Sequence, residues 1–205
     1  MNAREAVLRR VREALAGTER TPRADIPRDY ATSRDVADPV ALFCERVADY
    51  RAEIERIGPE DLPGRITTAL GGAERVLTPS GLPQAWYPPA GSFELLSDGD
   101  ELSAAELDRV DAVVTTAVVG IASTGTIVLD HGPGQGRRAV TLVPDVHVCV
   151  LRESQIVDDV PAALHRLDPA RPLTFISGPS ATSDIELKRV EGVHGPRTLR
   201  VLVLP

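Results

Sequence analysis

"DAVVTTAVVGIASTGTIVLD", residues 111–130, and "AVTLVPDVHVCVL", residues 139–151, decide the fold. Both runs are β-branched and aliphatic with few charges. A strand wetted on one face alternates apolar and polar residues, whereas a strand buried on both faces reads as a nearly continuous apolar run. "RPLTFIS" (171–177) and "LRVLVLP" (199–205) share that character, and "DDVPAALHRL" (158–167), between the runs 139–151 and 171–177, has a helical pattern. Strands alternating with helices point to an α/β layered fold with substantial parallel pairing.

Working outward, "ERVLTPSG" (74–81) reads as a buried strand entering a turn, and Leu62, Ile66 and Leu70 mark a short helix stopped by Gly71-Gly72. "GLPQAWYPPAGSFELLSDGD" (81–100) reads as irregular, and "LSAAELDRV" (102–110) as a short helix with a capping box, Ser103 three residues before Glu106. A longer helix is expected from Asp38, a suitable N-cap before Pro39, to Ile57, with Gly58 as its stop. Its seam of Phe43, Val47, Tyr50, Ile54 and Ile57 suits either the core or a partner. Val7, Leu8, Val11, Ala14 and Leu15 share one face of a first helix, and "TERTPRADIPRDYATSRD" (18–35) reads as a linker. The expected organisation is an N-terminal helical appendage over 1–58 and an α/β domain over 59–205.

The 205 residues are 42% hydrophobic and 26% charged, an ordinary globular balance. A net charge of −7 and 3% aromatic residues argue against nucleic-acid binding, which needs cations and stacking surfaces. No apolar run approaches the ~20 residues of a membrane span. The arginine-studded N-terminus lacks the apolar core of a secretory signal, so a cytoplasmic location is expected. The two cysteines, Cys44 and Cys149, read as buried thiols and are too few for an ordinary four-cysteine iron–sulfur cluster.

Three glycine-bearing loops interrupt the apolar strands. In "GIASTGTIVLD" (120–130), Ser123, Thr124, Gly125 and Thr126 offer either ligand contacts or a tight turn with internally bonded hydroxyls. In "DHGPGQGRR" (130–138), Gly134 and Gly136 could open an anion-binding nest, with Arg137 and Arg138 clamping phosphate or carboxylate. The Walker and Rossmann patterns are both absent. In "SGPSATSDIELKRV" (177–190), Ser180 and Thr182 offer hydroxyls, while Asp184 and Glu186 could do acid–base work or pair with Lys188 and Arg189. His147 alternates with valines and reads as a hydrogen-bonded core histidine. His194, beside Gly195 and Pro196, is the better candidate for ligand contact and proton exchange. No spacing suits a metal.

Taken in order, "TGTIVLD", "GPGQGRR", "LVPD" with His147, "GPSATSDIE" and "GVHGPR" closely resemble the LutC/YkgG branch of the LUD-domain family, over about residues 110–205. The resemblance implies a three-layer sheet with helices on both faces, like the NagB/RpiA/CoA transferase group of sugar-phosphate isomerases and transferases. It implies L-lactate utilisation, in a system oxidising lactate to pyruvate with LutA- and LutB-like partners that carry the iron–sulfur clusters. No cofactor is then expected on this chain alone. Many relatives carry an acid where this chain has Ser123, which argues against covalent acyl transfer here. The site expected is a pocket for a small carboxylate or phosphate-bearing ligand, formed jointly by the three loops. The alternatives are a stand-alone acyl/CoA transferase-, isomerase- or ligase-like enzyme, with Asp184 or Glu186 replacing the loop acid, and a non-catalytic ligand-sensing scaffold held through Phe43, Val47 and Tyr50.

Overall fold

The computed structural model describes residues 2–18, 35–87, 93–98, 102–182, 190–191 and 194–205. The chain divides into two compact units, Met1–Ala31 and Thr32–Pro205. In the first, helix α1 (Ala3–Leu15) opens on a capping box in which Asn2 Oδ1 accepts from the Glu5 amide at 2.9 Å, and none of its residues is buried. In the second, α2 (Pro39–Asp49), β1 (Glu53–Arg56), α3 (Leu62–Leu70), β2 (Arg75–Thr78) and β3 (Glu94–Ser97) come first. Next are α4 (Ala104–Leu107), β4 (Ala112–Thr116), β5 (Val119–Ile121), β6 (Thr126–Leu129) and β7 (Val146–Arg152). The chain then runs through β8 (Ile156–Val157), α5 (Val160–Leu164), β9 (Thr174–Ile176), β10 (Ala181–Thr182), β11 (Val190–Glu191) and β12 (Thr198–Leu204).

A six-stranded sheet in the order β1-β12-β7-β4-β2-β3 forms the centre, and every pairing in it is parallel. The apolar runs supply its inner strands because both faces are covered. Val148, Val150, Leu202 and Leu204 face α3 through Leu62, Ile66 and Leu70. Cys149, Leu151, Val201 and Val203 face the opposite layer, where α2 inserts Phe43 and Val47. That layer also holds a second sheet, β8-β5-β6-β9, which turns Ile127 and Leu129 inward and Val128 outward under α5. The sheet is thus sandwiched between helices as expected, with a small sheet added on one side. The addition follows from local chain geometry. β5 and β6 are joined by a tight turn, which forces antiparallel pairing and bars them from an all-parallel sheet.

Three sequence expectations change. The helix expected to reach Ile57 ends at Asp49: Arg51 adopts a left-handed φ of 65°, and 53–56 becomes edge strand β1, paired with β12. The segment expected to be irregular contains β3, an edge strand paired with β2 alone. The boundary expected at 58 falls inside the second unit, because Phe43 and Val47, 0% and 1% exposed, are part of its core. Their burial also removes two of the three residues proposed to hold a partner.

Candidate functional site

The glycine-rich loop sits at the carboxyl ends of β2 and β4. The Gly134 amide donates to the Ser80 carbonyl at 2.8 Å, and the Gly134 carbonyl accepts from the Thr116 amide at 2.9 Å. Only a glycine fits there: φ is +74°, and a Cβ would lie 2.8 Å from Thr116 Cγ2. Four of the loop's amides meet protein acceptors. Besides Gly134, Gly132 donates to Asp130 Oδ1 at 3.1 Å, Gln135 to the Gly132 carbonyl at 3.1 Å, and Arg137 to Asp98 Oδ2 at 3.4 Å. Two of these acceptors are carboxylates.

The two loop arginines part company. Arg137 lies beside Asp98, Nε to Oδ1 at 3.7 Å, and its guanidinium also donates to the Leu102 carbonyl. Both Arg137 and Arg171, which pairs with Asp130 at 3.1 Å, line a cleft of about 600 Å³ with Ser80, Gly136 and His131. Arg138 instead lines a separate cavity of about 300 Å³, with Thr141, His147, Ser177, Ser180 and His194 around it. No carboxylate pairs with Arg138 among the described residues. A third groove, about 460 Å³ along β1, has its charges matched by Arg65 with Glu55 at 2.9 Å and Arg200 with Glu53 at 2.8 Å. Of these three, the 300 Å³ cavity presents a cation that no carboxylate compensates among the described residues.

Its walls are held by polar cross-links. The His194 amide donates to Ser180 Oγ at 3.0 Å, and the Ser180 amide donates to the Pro196 carbonyl at 2.8 Å, which joins two loops distant in sequence. His131 spans the gap between the cleft and the cavity. Its Nδ1 donates to the Gly136 carbonyl at 3.0 Å, and its Nε2 meets the hydroxyl of Thr174, a cavity residue, at 3.0 Å. The Ser123–Thr126 turn stands behind the wall: Thr126 Oγ1 lies 2.7 Å from Thr124 Oγ1 and 2.8 Å from Ser177 Oγ. Gly125 packs under α2, where a Cβ would lie 2.6 Å from the Arg46 carbonyl carbon. The Ser123 amide donates to the Asp158 carbonyl at 3.0 Å. Ser123, Thr124, Gly125 and Thr126 are thus absent from the cavity lining, as are Gly134, Gly136 and Arg137. Thr182 lies in β10 beyond Ser180. Asp184 and Glu186 lie outside the described residues.

The cavity's floor was not foreseen. His147 is 1% exposed, and its Nε2 shares a 2.8 Å hydrogen bond with the Thr115 hydroxyl. The bond comes from neighbouring β4, whereas Asp145, on the same sequence face, pairs with Arg197 at 3.5 Å. Burial lowers the imidazole to about 4, so the ring is neutral near pH 7. Burial likewise raises the Cys149 thiol to about 12, with a hydrogen bond to Thr115 offsetting it in part.

The LUD domain matches residues 96–204, which include the cavity and all three glycine-bearing loops. Lactate utilization protein C of Deinococcus radiodurans is 46% identical over 206 aligned residues, covering 98% of this chain and 95% of that protein. Escherichia coli YkgG is 33% identical over 54% of this chain and 47% of its own. The crystal structure of a DUF162 family protein from D. radiodurans has a TM-score of 0.72 at 44% identity, covering 82% of this chain and 98% of that one. The chain belongs to the LUD-domain family, in its LutC/YkgG branch.

Proposed function

We propose that this protein is a component of a cytoplasmic L-lactate utilisation system, in which lactate is oxidised to pyruvate, and that its 300 Å³ cavity receives a small carboxylate or phosphate-bearing ligand. The supporting observation is Arg138, an arginine without a carboxylate partner among the described residues that lines the same cavity as Ser180 and His194. The name of the D. radiodurans relative, matched over nearly the whole chain, supports the biological role. Arg138 would clamp the anion, the Ser180 hydroxyl would orient it, and His194 would exchange a proton at the rim. Oxidation of lactate releases two electrons and two protons. The electrons are assigned to LutA- and LutB-like iron–sulfur partners, and no cofactor is assigned to this chain alone. No helix among the described residues is long and apolar enough to cross a membrane.

The test is titration of Arg138→Ala with L-lactate, pyruvate and inorganic phosphate by calorimetry, together with growth on lactate. Loss of a charge-assisted hydrogen bond, about 1.5–3 kcal/mol, predicts roughly 10- to 100-fold weaker binding. Unchanged affinity and unchanged growth would remove Arg138, and this cavity, from the function.

A further inference from the structure

We propose that His147 recognises the guest directly, its Nδ1 hydrogen-bonding an uncharged oxygen, so that the cavity selects carboxylates bearing a second oxygen: 2-hydroxy and 2-oxo acids. The proposal rests on the reading of the cavity as a carboxylate site. Three observations carry it. First, His147 lines the cavity although its residue surface is 1% exposed, and its Nε2 is taken by Thr115. Nδ1 has no hydrogen-bond partner among the described residues. Among the described residues the sealed side-chain atom without a partner is Asp98 Oδ1, so Nδ1 retains access to the cavity.

Second, the Thr115 hydroxyl can donate to Nε2 or accept from it, so the neutral ring can present Nδ1 as a donor to an oxo oxygen or as an acceptor from a hydroxyl. Third, the charge gradient orients the guest. The exposed Arg138 suits a carboxylate near water, while the buried floor disfavours charge and suits a neutral oxygen. Leu142, Ile176 and Leu199 line the rest, so the remaining substituent is short and apolar.

The test compares pyruvate, L-lactate and propionate, which lacks the second oxygen, on the purified full chain. The wild-type protein should bind the first two about fivefold more tightly than propionate, the worth of one neutral hydrogen bond. His147→Gln retains a group near Nε2 and loses the one at Nδ1, so the preference should vanish. His147→Asn places an amide near Nδ1, so the preference should persist. The wild-type ¹⁵N spectrum supplies a readout that needs no variant: the His147 Nδ1 resonance should shift with pyruvate and not with propionate. A preference surviving His147→Gln, equal binding of propionate, or an unmoved Nδ1 signal would overturn the role of His147 alone. Failure of all three acids to bind the wild-type chain would overturn the carboxylate cavity and this proposal with it.

Discussion

Replacing Gly125 by alanine separates two readings of the "TGT" turn, as packing element or as ligand contact. Gly125 holds φ 58° and ψ 34°, in the left-handed region, which costs an L-residue about 1–2 kcal/mol. The new Cβ would meet the Arg46 carbonyl carbon at 2.6 Å and its carbonyl oxygen at 2.8 Å. Carbon atoms pack best at about 3.5–4.0 Å, so the turn and α2 must separate by roughly 1 Å. Both are backbone, and α2 carries Phe43 and Val47 in the core, so the strain spreads into it. Overpacking of this kind adds about 1–3 kcal/mol. The sum is about 3 kcal/mol, or roughly 6–12 °C in Tm for a domain of this size.

The assay is equilibrium urea unfolding followed by the fluorescence of Trp86, the chain's single tryptophan, which is buried. Gly64→Ala is the control: Gly64 lies in α3 with nothing within 4 Å of its Cβ position. It should stabilise by about 0.5 kcal/mol through helix propensity. If Gly125→Ala loses less than about 1 kcal/mol while the control behaves as stated, the turn is not held by α2 and its role as a buttress is refuted.

Stability should fall on acidification with a component that belongs to His147. Its folded value of about 4 lies below the ordinary 6.5, so between these values the unfolded chain holds the extra proton. The contribution is complete above pH 6.5 and shrinks by about 1.4 kcal/mol per pH unit as pH falls toward 4. Urea midpoints for His147→Gln should lack that slope; an identical slope in both proteins would show that His147 is not buried neutral. Phe43→Ala should cost about 3–5 kcal/mol because the ring is wholly enclosed, whereas a chain beginning at Thr32 should melt within about 2 °C of the full protein, since α1 buries no residue. Calorimetric scans of the two proteins check both; a large loss on truncation would show that the second unit is not self-sufficient.

What could be read from the sequence was whatever a residue's own run encodes. β7 and β12 were legible because two covered faces demand continuous aliphatic sequence. β3 was not, because "ELLS" (94–97) is four residues at a sheet edge and its pairing with β2 has no local signature. The seam of Phe43, Val47, Tyr50, Ile54 and Ile57 kept helical spacing past the true end of α2. The break at Arg51 is a backbone event, and the edge strand after it is charged at Glu53, Glu55 and Arg56. Likewise the sequence shows glycines able to expose amides, but not that Ser80 and Asp98, 54 and 39 residues before Gly134 and Arg137, supply the acceptors. His147 was legible as a partnered core histidine. Its second edge faces a cavity only because residues 174–180 and 194–199 fold across it.

The divergence of Arg137 and Arg138 explains why the motif misled and why the missing loop acid matters less than it first suggested. Arg137 is extended, with φ −72° and ψ 155°, and a 3₁₀ turn begins at Arg138. Across that change of conformation the first arginine lines the cleft and the second the cavity. One is drawn to Asp98, whose side chain is 9% exposed and whose Oδ1 has no hydrogen-bond partner. A buried carboxylate of this kind requires a nearby cation, and Arg137 meets that need. Arg138 is released to the cavity because its neighbour is so engaged. Ser123 lies behind that cavity's wall, so replacing an acid by serine at this position takes no group from the lining. On the function proposed above, the guest meets Arg138, His147, Ser180 and His194, and the "TGT" turn contributes through the Thr126–Ser177 hydrogen bond behind the wall.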